Sequence, residues 1–381
     1  MLKQLYIIII SLFLAGCNSD SQEKQLPERP NIVFIICDDL NDIAVNNQGH
    51  PQAKLPNIQS LAGQGVSFVN AINNAPLCAP SRASMLTGIY PHTSRYFGFR
   101  HNIRYYRASP VLEEAKTFVE HFMENGYEVF GTGKLYHNGA REWPNDNFGY
   151  AQSFSPFPWD GKYNTKRSPD SLGFLPHPNQ HEALQSHWEA TFGRLSEIPV
   201  FPDSEDAEYQ GWVSYSKPYK YVSSEERDLM PDEKYAQYAV DVINGEHSKP
   251  FLLAVGFTST HTPYYAPDNY FDRFPLEDLE RATFLTDDLK DCANILAQEE
   301  GTSNTDYGFR RYNNVMAAGG EDLLLEWTQA YLACAALVDD QIGKILNAIQ
   351  KSPHANNTII IVTSDHGFHM GEKEFLFKNS V

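Results

Sequence analysis

PNIVFIICDDL, residues 30–40, is a run of apolar and mostly β-branched residues that ends in two adjacent aspartates. The run shows no polar alternation, which is typical of a strand buried on both faces of a parallel sheet. The stretch therefore predicts a central strand with helices on both sides. It also places Asp38 and Asp39 directly at the end of that strand.

Similar apolar runs alternate with helical patterns along the rest of the chain. Further strands are predicted in VSFVNAI (66–72), YEVFGTGKLYH (127–137), PFLLAVGF (250–257) and NTIIIVTSDHG (357–367). Apolar residues at helical spacing predict helices over 55–65, 111–126, 232–245 and 321–351. This alternation predicts an α/β sandwich with a mostly parallel central sheet and helices on both faces.

The region from roughly 140 to 230 shows no sustained period and is rich in Pro, Gly, Ser, Trp and Tyr. Long loops of this composition are typical of substrate-facing insertions. Four tryptophans in it could stack on sugar rings or, at least as readily, pack in a core beneath the loops: Trp143, Trp159, Trp188 and Trp212.

Polar side chains follow four of the predicted strands at the point where each strand ends. Ligands of parallel sheets bind beyond the carboxyl ends of the strands, so we expect these side chains to meet at one edge. They are Asp38 with Asp39, Lys134 with His137, His261, and Asp365 with His366.

The acidic residues of this edge predict a metal site. Asp38 and Asp39 repel each other at a buried strand end unless a cation lies between them, and hard oxygen ligands suit Ca²⁺ or Mg²⁺. Taken alone, the pair is equally well explained as a helix cap beside a solvated acid. Asp365 and His366 after a second core strand favour the divalent site.

The stretch NNAPLCAPSRASMLTG, residues 73–88, carries a cysteine in surroundings that do not suit a core thiol. Pro80 fits a first helical turn and Gly88 a helix end, so Cys78 lies at a helix N-terminus. Arg82, one turn later, faces the same edge, and a guanidinium is a common clamp for a tetrahedral oxyanion. We therefore interpret Cys78 as a reactive group. His137 and His261 are further basic candidates, although a lone histidine is more often structural than catalytic.

The 381 residues carry 30 basic and 48 acidic side chains, a net charge of -18, which argues against nucleic acid as a partner. The cysteine spacing matches no zinc pattern and indicates no disulfide network. Cys37 lies in an apolar strand and Cys334 in a helix, so both are predicted to be small core residues.

The N-terminus resembles an export signal. Residues 1–16 combine a basic start with a short apolar run, and Leu14-Ala15-Gly16-Cys17 looks like a lipobox in which Cys17 is acylated. Residues 17–29 would be a polar tether. This predicts an exported bacterial lipoprotein, periplasmic or on the cell surface and anchored to the membrane through Cys17, with an ordinary signal peptide as the alternative.

Together these motifs resemble a known family. Cys78-Ala79-Pro80-Ser81-Arg82, followed by Leu86-Thr87-Gly88, matches the sulfatase signature Cys-x-Pro-Ser-Arg followed by Thr-Gly. Four further stretches match family blocks in family order: FIICDDL, GTGKLYH, LAVGFTSTHTPYYAP and TSDHGFHMGEKEFLFK. From Pro30 to its last residue the chain resembles the iduronate-2-sulfatase-like branch of the type I sulfatases, in the alkaline-phosphatase superfamily.

The resemblance implies a specific chemistry for Cys78. In the family this cysteine is oxidised to Cα-formylglycine by a maturation enzyme that reads the proline and the arginine of the signature. One oxygen of the hydrated aldehyde attacks sulfur, the sugar alcohol leaves, and the second hydroxyl expels sulfate from the covalent ester.

The resemblance also assigns roles to the other residues of the edge. Asp38, Asp39, Asp365 and His366 resemble the ligands of one calcium ion, with the group at position 78 also bound. Arg82 and Lys134 would hold the diol and the sulfate, and His137 would be the base for breakdown of the hydrate. His261 and Lys378 would contact the sulfate and protonate or stabilise the leaving oxygen.

Two departures from the family leave alternatives open. Where the family often has His-x-Pro-His-x-Pro, residues 258–263 read TSTHTP, so we align His261 with the catalytic histidine. The sequence also stops three residues after Lys378, whereas related sulfatases continue into a smaller C-terminal subdomain. We expect residues 30–381 to be a catalytic domain truncated at its C-terminal side, either as an isolated product or completed by a second chain.

The function expected from these residues is calcium-dependent hydrolysis of a sulfate ester on a sulfated glycan. A phosphonate or phosphate ester hydrolase on the same scaffold is the alternative enzyme. An inactive, truncated sulfatase-like protein is the alternative outside catalysis.

Overall fold

The strands follow the apolar runs of the sequence. Numbered along the chain, they are β1 Asn31–Cys37, β2 Glu128–Gly133, β3 Phe148–Ala151, β4 Phe157–Pro158, β5 Phe192–Arg194, β6 Trp212–Ser214, β7 Lys217–Tyr219, β8 Phe251–Phe257, β9 Tyr264–Ala266 and β10 Thr358–Ser364. The computed structural model describes residues 29–42, 50–98, 106–138, 142–154, 156–158, 184, 191–198, 211–215, 217–285, 288–291 and 305–378. The predicted leader and nearly all of the predicted tether lie outside these residues.

Five strands form the central sheet, in the order β10-β1-β8-β2-β3, and every neighbouring pair is parallel. The predicted parallel sheet is therefore confirmed. Two small sheets flank it, one antiparallel of β4, β6 and β7 and one parallel of β5 and β9.

The helices lie between these strands. They are α1 Pro56–Gln64, α2 Cys78–Thr87, α3 Pro91–Ser94, α4 Phe118–Glu124, α5 Pro231–Asn244, α6 Asp268–Phe271, α7 Thr305–Ala318 and α8 Gly320–Lys351. Short 3-10 turns occur at Tyr106–Ala108, Leu195–Glu197, Asp288–Asp291 and Glu372–Glu374. None of the helices in the described ranges is both long and apolar enough to cross a bilayer.

Both faces of the sheet are covered, as the apolar run of β1 predicts. Val33, Ile35 and Cys37 point into a core that α5 and α8 fill, and α1 packs on the outer side of α8. Ile36 points the other way, into a second core with α2 and α4. Successive strand residues point to opposite faces, so an uninterrupted apolar run supplies both cores at once.

The segment VSFVNAI, residues 66–72, is not a strand, so this prediction is wrong. The chain runs irregularly here, and Val66, Phe68, Val69 and Ile72 are 71–92% exposed. A strand forms only where its backbone groups find a partner. Within the described residues, no strand pairs with this segment.

The predicted helix over 111–126 is also shorter than its pattern indicates. Its described helical part, α4, begins at Phe118 because Thr117 caps it. The Thr117 hydroxyl accepts from the Glu120 backbone N–H at 3.2 Å, and the Glu120 carboxylate accepts from the Thr117 N–H at 2.8 Å. This reciprocal capping box fixes the helix start despite the apolar residues before it.

Candidate active site

The acidic pair after β1 is fully buried. Asp38 and Asp39 are both 0% exposed, and Asp39 has a φ of 60°, so the backbone turns sharply where the strand ends. The Thr260 hydroxyl donates to the Asp38 carbonyl at 2.6 Å, and the Tyr331 hydroxyl donates to the Asp39 carbonyl at 3.2 Å. The loop after β8 and helix α8 therefore hold this turn from two sides.

Arg82 joins two of the predicted acidic residues. Its Nε donates to Asp365 Oδ2 at 2.9 Å and its Nη2 to Asp38 Oδ1 at 3.2 Å, and its Nη1 donates to the Lys134 carbonyl. The planar guanidinium, itself 1% exposed, thereby ties the ends of β1, β2 and β10 together.

Cys78 lies at the first residue of α2, as the sequence predicts. Pro80 occupies the first turn, and Gly88, at a φ of 73°, ends the helix with its N–H on the Ser84 carbonyl. The Cys78 Sγ is 3.1 Å from His366 Nε2 and 3.1 Å from Lys378 Nζ, and the residue is 3% exposed. A helix N-terminus and two basic side chains make this position favourable for an anionic atom.

Lys378, which the sequence pattern could not place, lies in the same cluster. Its Nζ donates to both carboxylate oxygens of Asp39, at 3.0 and 3.1 Å, as well as to Cys78 Sγ. The residue is 4% exposed, so its charge depends on these partners.

Lys134 is positioned by a close approach of β2 and β8. Its backbone N–H donates to the Gly256 carbonyl at 2.9 Å, and a Cβ on Gly256 would overlap the Lys134 backbone. Gly133, at a φ of 74°, turns the chain in the left-handed region that glycine favours. The Lys134 ammonium then pairs with Asp38 Oδ2.

His261 reaches the cluster from the loop after β8. Its Nε2 lies 3.9 Å from Asp39 Oδ2, and its Nδ1 is bonded to the Thr262 carbonyl. Because a carbonyl only accepts, Nδ1 is the protonated nitrogen in this contact and Nε2 is left as the acceptor.

His137 lies at the rim of the cluster. It lines the same narrow cavity as Arg82, Ala79 and Tyr136. Burial, together with the charges of Lys134 and Arg82, lowers the pKa of His137 to about 3. The imidazole is therefore neutral at neutral pH.

The pKa values of the adjacent carboxyl groups of Asp38 and Asp39 are shifted in opposite directions. Burial alone would raise the pKa of Asp38, but the charges of Lys134 and Arg82 outweigh it and hold that pKa well below its usual range. Burial raises the pKa of Asp39 to about 6. Asp39 is therefore the carboxylate that a further cation would stabilise most.

The pKa values of His366 and His261 are shifted in opposite directions. Burial opposes the charge on His366, yet Asp365, Cys78 and Asp39 raise its pKa to about 10. Burial and the nearby Lys378 charge lower the pKa of His261 well below its usual range. At neutral pH, His366 is a cation and His261 is neutral.

The donors at this edge fit a divalent cation. One atom each of Asp38, Asp39, Cys78 and His366 lie within 4.8 Å of one another, and all four residues are buried. The carboxylates suit Ca²⁺, whereas a thiolate and an imidazole suit softer metals. An oxygen-bearing side chain at position 78 would bring the set closer to the preference of calcium.

Asp365 lies beside this group rather than in it. Its Oδ1 accepts from the backbone N–H groups of Asp39 at 3.2 Å and His366 at 3.0 Å, and its Oδ2 accepts from Arg82. In this arrangement Asp365 orients the residues around it.

Several residues that shape the cluster were not identified from the sequence. Ser81 and Asn73 both donate to the Asp365 carbonyl. Asp232 accepts backbone N–H groups of the loop that carries His261, and Phe154 packs against His261 itself. Ser81 and Asn73 belong to the quoted stretch 73–88, whereas no local pattern marks Asp232 and Phe154.

Of the tryptophans proposed for sugar stacking, Trp212 is a core residue and Trp143 is half-buried. Trp212 is 0% exposed, and its indole donates to the Leu195 carbonyl at 2.9 Å. Trp143 packs against Phe148, with ring centroids 5.2 Å apart. Trp159 and Trp188 lie outside the described residues.

Replacing Arg82 with methionine tests how strongly the cluster depends on its guanidinium. R82M leaves Asp38 and Asp365 buried with one cation fewer, so we expect a loss of about 3–5 kcal/mol in the free energy of unfolding. The measurement is urea unfolding in the presence of a calcium chelator.

The control for this variant is R273M, which removes a half-exposed ion pair with Asp340. Such a pair contributes less than about 1 kcal/mol. An R82M protein no less stable than R273M would contradict the ion-pair account of the cluster.

Comparison with known proteins places this geometry in a family. A family profile described as Sulfatase matches residues 30–380. The chain is 30% identical to a sulfatase of Formosa agariphila over 100% of this chain and 67% of that protein. It is 28% identical to the iduronate 2-sulfatase of Mus musculus over 96% of this chain and 60% of that protein.

Solved structures agree on the fold. The phosphonate monoester hydrolase of Agrobacterium radiobacter matches with a TM-score of 0.57 and 20% identity, over 93% of this chain and 66% of that one. A 2-O GAG sulfatase matches with a TM-score of 0.53 and 19% identity, over 93% of this chain and 61% of that one. The chain spans about 60–67% of the length of these relatives. The match of the sulfatase profile to nearly the whole described domain shows that the chain belongs to the sulfatase family, the type I sulfatases of the alkaline-phosphatase superfamily.

Proposed function

We propose that this chain provides the catalytic centre of an enzyme that hydrolyses sulfate esters on a sulfated carbohydrate. The observation that carries the proposal is the position of Cys78, which is buried at a helix start between Lys378 and His366. Membership of the sulfatase family supports the reaction type. The relatives named iduronate 2-sulfatase support a carbohydrate as the substrate class.

The nucleophile in this proposal is Cys78 after its conversion to Cα-formylglycine. The hydrated aldehyde would supply an oxygen nucleophile at the place that Sγ now takes. A maturation enzyme is therefore a required partner. An unconverted thiol would instead favour the inactive sulfatase-like protein.

The basic side chains are suited to hold an anionic ester. Lys134 pairs with Asp38, and Lys378 pairs with Asp39. Arg82 pairs with both Asp38 and Asp365. If a metal ion takes up the charge of Asp38 and Asp39, the two ammonium groups become available to the sulfate oxygens. Tetrahedral oxyanions are bound in this way by converging cations.

The histidines are suited to move protons. His261 is neutral with its Nε2 as an acceptor, and an anionic sulfate beside it would favour its protonated form. It could then donate that proton to the leaving oxygen. His137, which lies at the rim, is our candidate for the base in breakdown of the hydrate, the role that the family resemblance implies.

The proposed metal ion is one calcium, held by Asp38, Asp39, His366 and the oxygens of the converted side chain at position 78, with Asp365 as a further candidate. When bound, calcium would lower the pKa of the hydrate and neutralise charge on the sulfate. The raised pKa of Asp39 supports a need for positive charge at this point.

We also propose that the protein is exported and tethered to a membrane through Cys17. The support is the basic start, short apolar run and Leu14-Ala15-Gly16-Cys17 of the sequence. Globomycin, which blocks lipoprotein signal cleavage, should make the unprocessed form accumulate in the native host. Processing that continues unchanged would remove the lipid anchor from the proposal.

C78A should abolish turnover of an aryl sulfate, because no other described side chain takes the place of Sγ. The measurement is the rate for protein purified from its native host, together with the mass of the peptide that contains position 78. Formylglycine lowers that mass by about 18 Da relative to cysteine.

The matched control is C334A, since Cys334 is a buried cysteine of α8 whose thiol contacts the Tyr265 carbonyl rather than a cluster residue. It should keep its specific activity. Persistent activity in C78A above a trace would refute the nucleophile assignment. Faster hydrolysis of an aryl phosphonate than of the aryl sulfate would favour the alternative esterase.

D38N should weaken calcium binding and turnover together, since Asp38 is one of the four clustered donors. The measurement is the increase in melting temperature with added calcium, alongside the rate. D339N is the control, because Asp339 is equally buried but caps α1 through the N–H groups of Asn57 and Ile58. A calcium response in D38N equal to that of D339N would exclude Asp38 from the ligands.

We further propose that additional polypeptide adds a strand to the outer edge of β10. This strand holds seven uncharged residues, pairs with β1 without a bulge, and leaves Ile359 and Ile361 38% and 41% exposed. Natural edge strands are normally protected by charges, prolines or bulges. The relatives are longer than this chain, which supports a continuation or a second chain as the occupant.

Protein tagged and purified from its host should therefore carry a stoichiometric second polypeptide or exceed 43.2 kDa in mass. I361K should reduce recovery of that second polypeptide, or the stability of the longer chain. V222K, at another exposed apolar residue, should not. Full activity from a lone chain that ends at Val381 would contradict this proposal.

A further inference from the structure

Phe154 links the two basic residues that approach the cluster from β2 and β8. Its ring centroid is 4.5 Å from that of the His261 imidazole, with the planes inclined at 36°. The Lys134 ammonium lies 4.7 Å from the same ring centroid. Lys134 and His261 are buried and Phe154 is half-buried, so the phenyl ring forms the outer wall beside both groups.

The position of this ring is fixed through the preceding residue. The Ser153 N–H donates to the Tyr235 hydroxyl at 2.8 Å, and the Ser153 carbonyl accepts from the Thr258 hydroxyl at 2.7 Å. Both backbone polar groups of Ser153 are therefore used. Tyr235 belongs to α5 and Thr258 follows β8, so hydrogen bonds to two separate elements fix the backbone next to the ring.

The same threonine also belongs to the loop that carries His261. Its backbone N–H donates to Asp232 at 2.9 Å and that of Ser259 donates to Asp232 at 2.8 Å, while its carbonyl accepts from the His261 N–H at 3.0 Å. Asp232 is 0% exposed. One buried carboxylate therefore anchors both the histidine loop and, through Thr258, the loop of the phenyl ring.

This arrangement has a chemical consequence for Lys134. A cation over the face of an aromatic ring is attracted by the negative charge of that face, and an imidazole packed on a phenyl ring loses rotational freedom. The ammonium is otherwise held by Asp38. When Asp38 engages another cation, the ring is the contact that still directs Lys134.

We propose that Phe154 is a positioning residue, which holds His261 and Lys134 in the orientation needed for catalysis and is itself placed by Thr258. This inference rests on the proposed sulfatase function. In the contacts described above, Phe154 touches His261 and Lys134 but neither Cys78 nor the acidic donors.

The test compares F154L with F154Y in the metal-loaded protein, with an aryl sulfate as substrate. F154L keeps apolar bulk but loses the ring, and we expect kcat to fall about tenfold or more with a smaller change in KM. F154Y keeps the ring and should restore most of kcat. T258V, which removes the hydroxyl bonds to Ser153 and to Asp232, should lower kcat in the same direction, and the loss in the double variant should be smaller than the sum of the two single losses.

F251L is the matched control, because Phe251 is a buried aromatic residue at the opposite end of β8. It should lower the melting temperature while kcat stays unchanged. A kcat of F154L within twofold of wild type would overturn the proposal, as would an F154Y variant that is as slow as F154L.

A second measurement separates this proposal from the sulfatase assignment. The ring current of Phe154 should displace the His261 carbon-bound proton resonances, which are assigned by their loss in H261Q. F154L should move them and F154Y should not. If the wild-type protein has no sulfatase activity, the proposed function is wrong, but the resonances still test the contact between Phe154 and His261. Resonances of His261 that do not move in F154L would overturn the role of Phe154.

Discussion

The structure depends on the burial of three carboxylates at the ends of two neighbouring strands. Asp38, Asp39 and Asp365 are at most 2% exposed, so each has lost nearly all its water. A buried charge without a partner costs several kcal/mol, which this fold avoids by bringing cationic side chains from distant parts of the chain. Arg82 bonds Asp38 and Asp365, and His366 lies within 3.6 Å of Asp39 and Asp365. The fork of Arg82 therefore ties the residue after the first strand to the residue after the last.

The pairing also explains why the cluster is poised for chemistry. The cations that neutralise the carboxylates are the same groups that a tetrahedral anion would require. A cation that binds to Asp38 and Asp39 would weaken their attraction for the lysines that now pair with them. Because the cluster is buried, each of these electrostatic interactions is stronger than it would be in water. The opposite protonation of His366 and His261 follows from the same balance. Asp365 and Asp39 outweigh the burial of His366 and raise its pKa, whereas burial and the Lys378 charge lower the pKa of His261.

Much of this could be predicted from the sequence because the decisive signals are local. The uninterrupted apolar run of β1 requires a sheet covered on both sides, and residues that follow parallel strands must meet at one edge. The position of Cys78 at a helix start follows from Pro80 and Gly88. The capping pair Thr117 and Glu120 was equally local and should have shortened the predicted helix over 111–126.

The remaining features depend on contacts that no local pattern encodes. Asp232 and Phe154 reach the cluster only because α5 and the segment after β3 pack against the end of β8. Lys378 lies in a stretch without periodicity and is placed by Asp39. The segment 66–72 has the residue pattern of a strand but no partner for its backbone among the described residues, and a pattern alone cannot supply one.

The contact between Cys78 and Lys378 joins residues that are 300 positions apart. A ribosome adds roughly 5–20 residues per second, so about 15–60 s separate the synthesis of these two residues. Throughout that interval the helix start at Cys78 lacks the ammonium group that finally covers it. An enzyme that alters the Cys78 side chain would therefore have this interval in which to reach it before Lys378 can cover it. The length of the interval follows from the number of residues between the two positions.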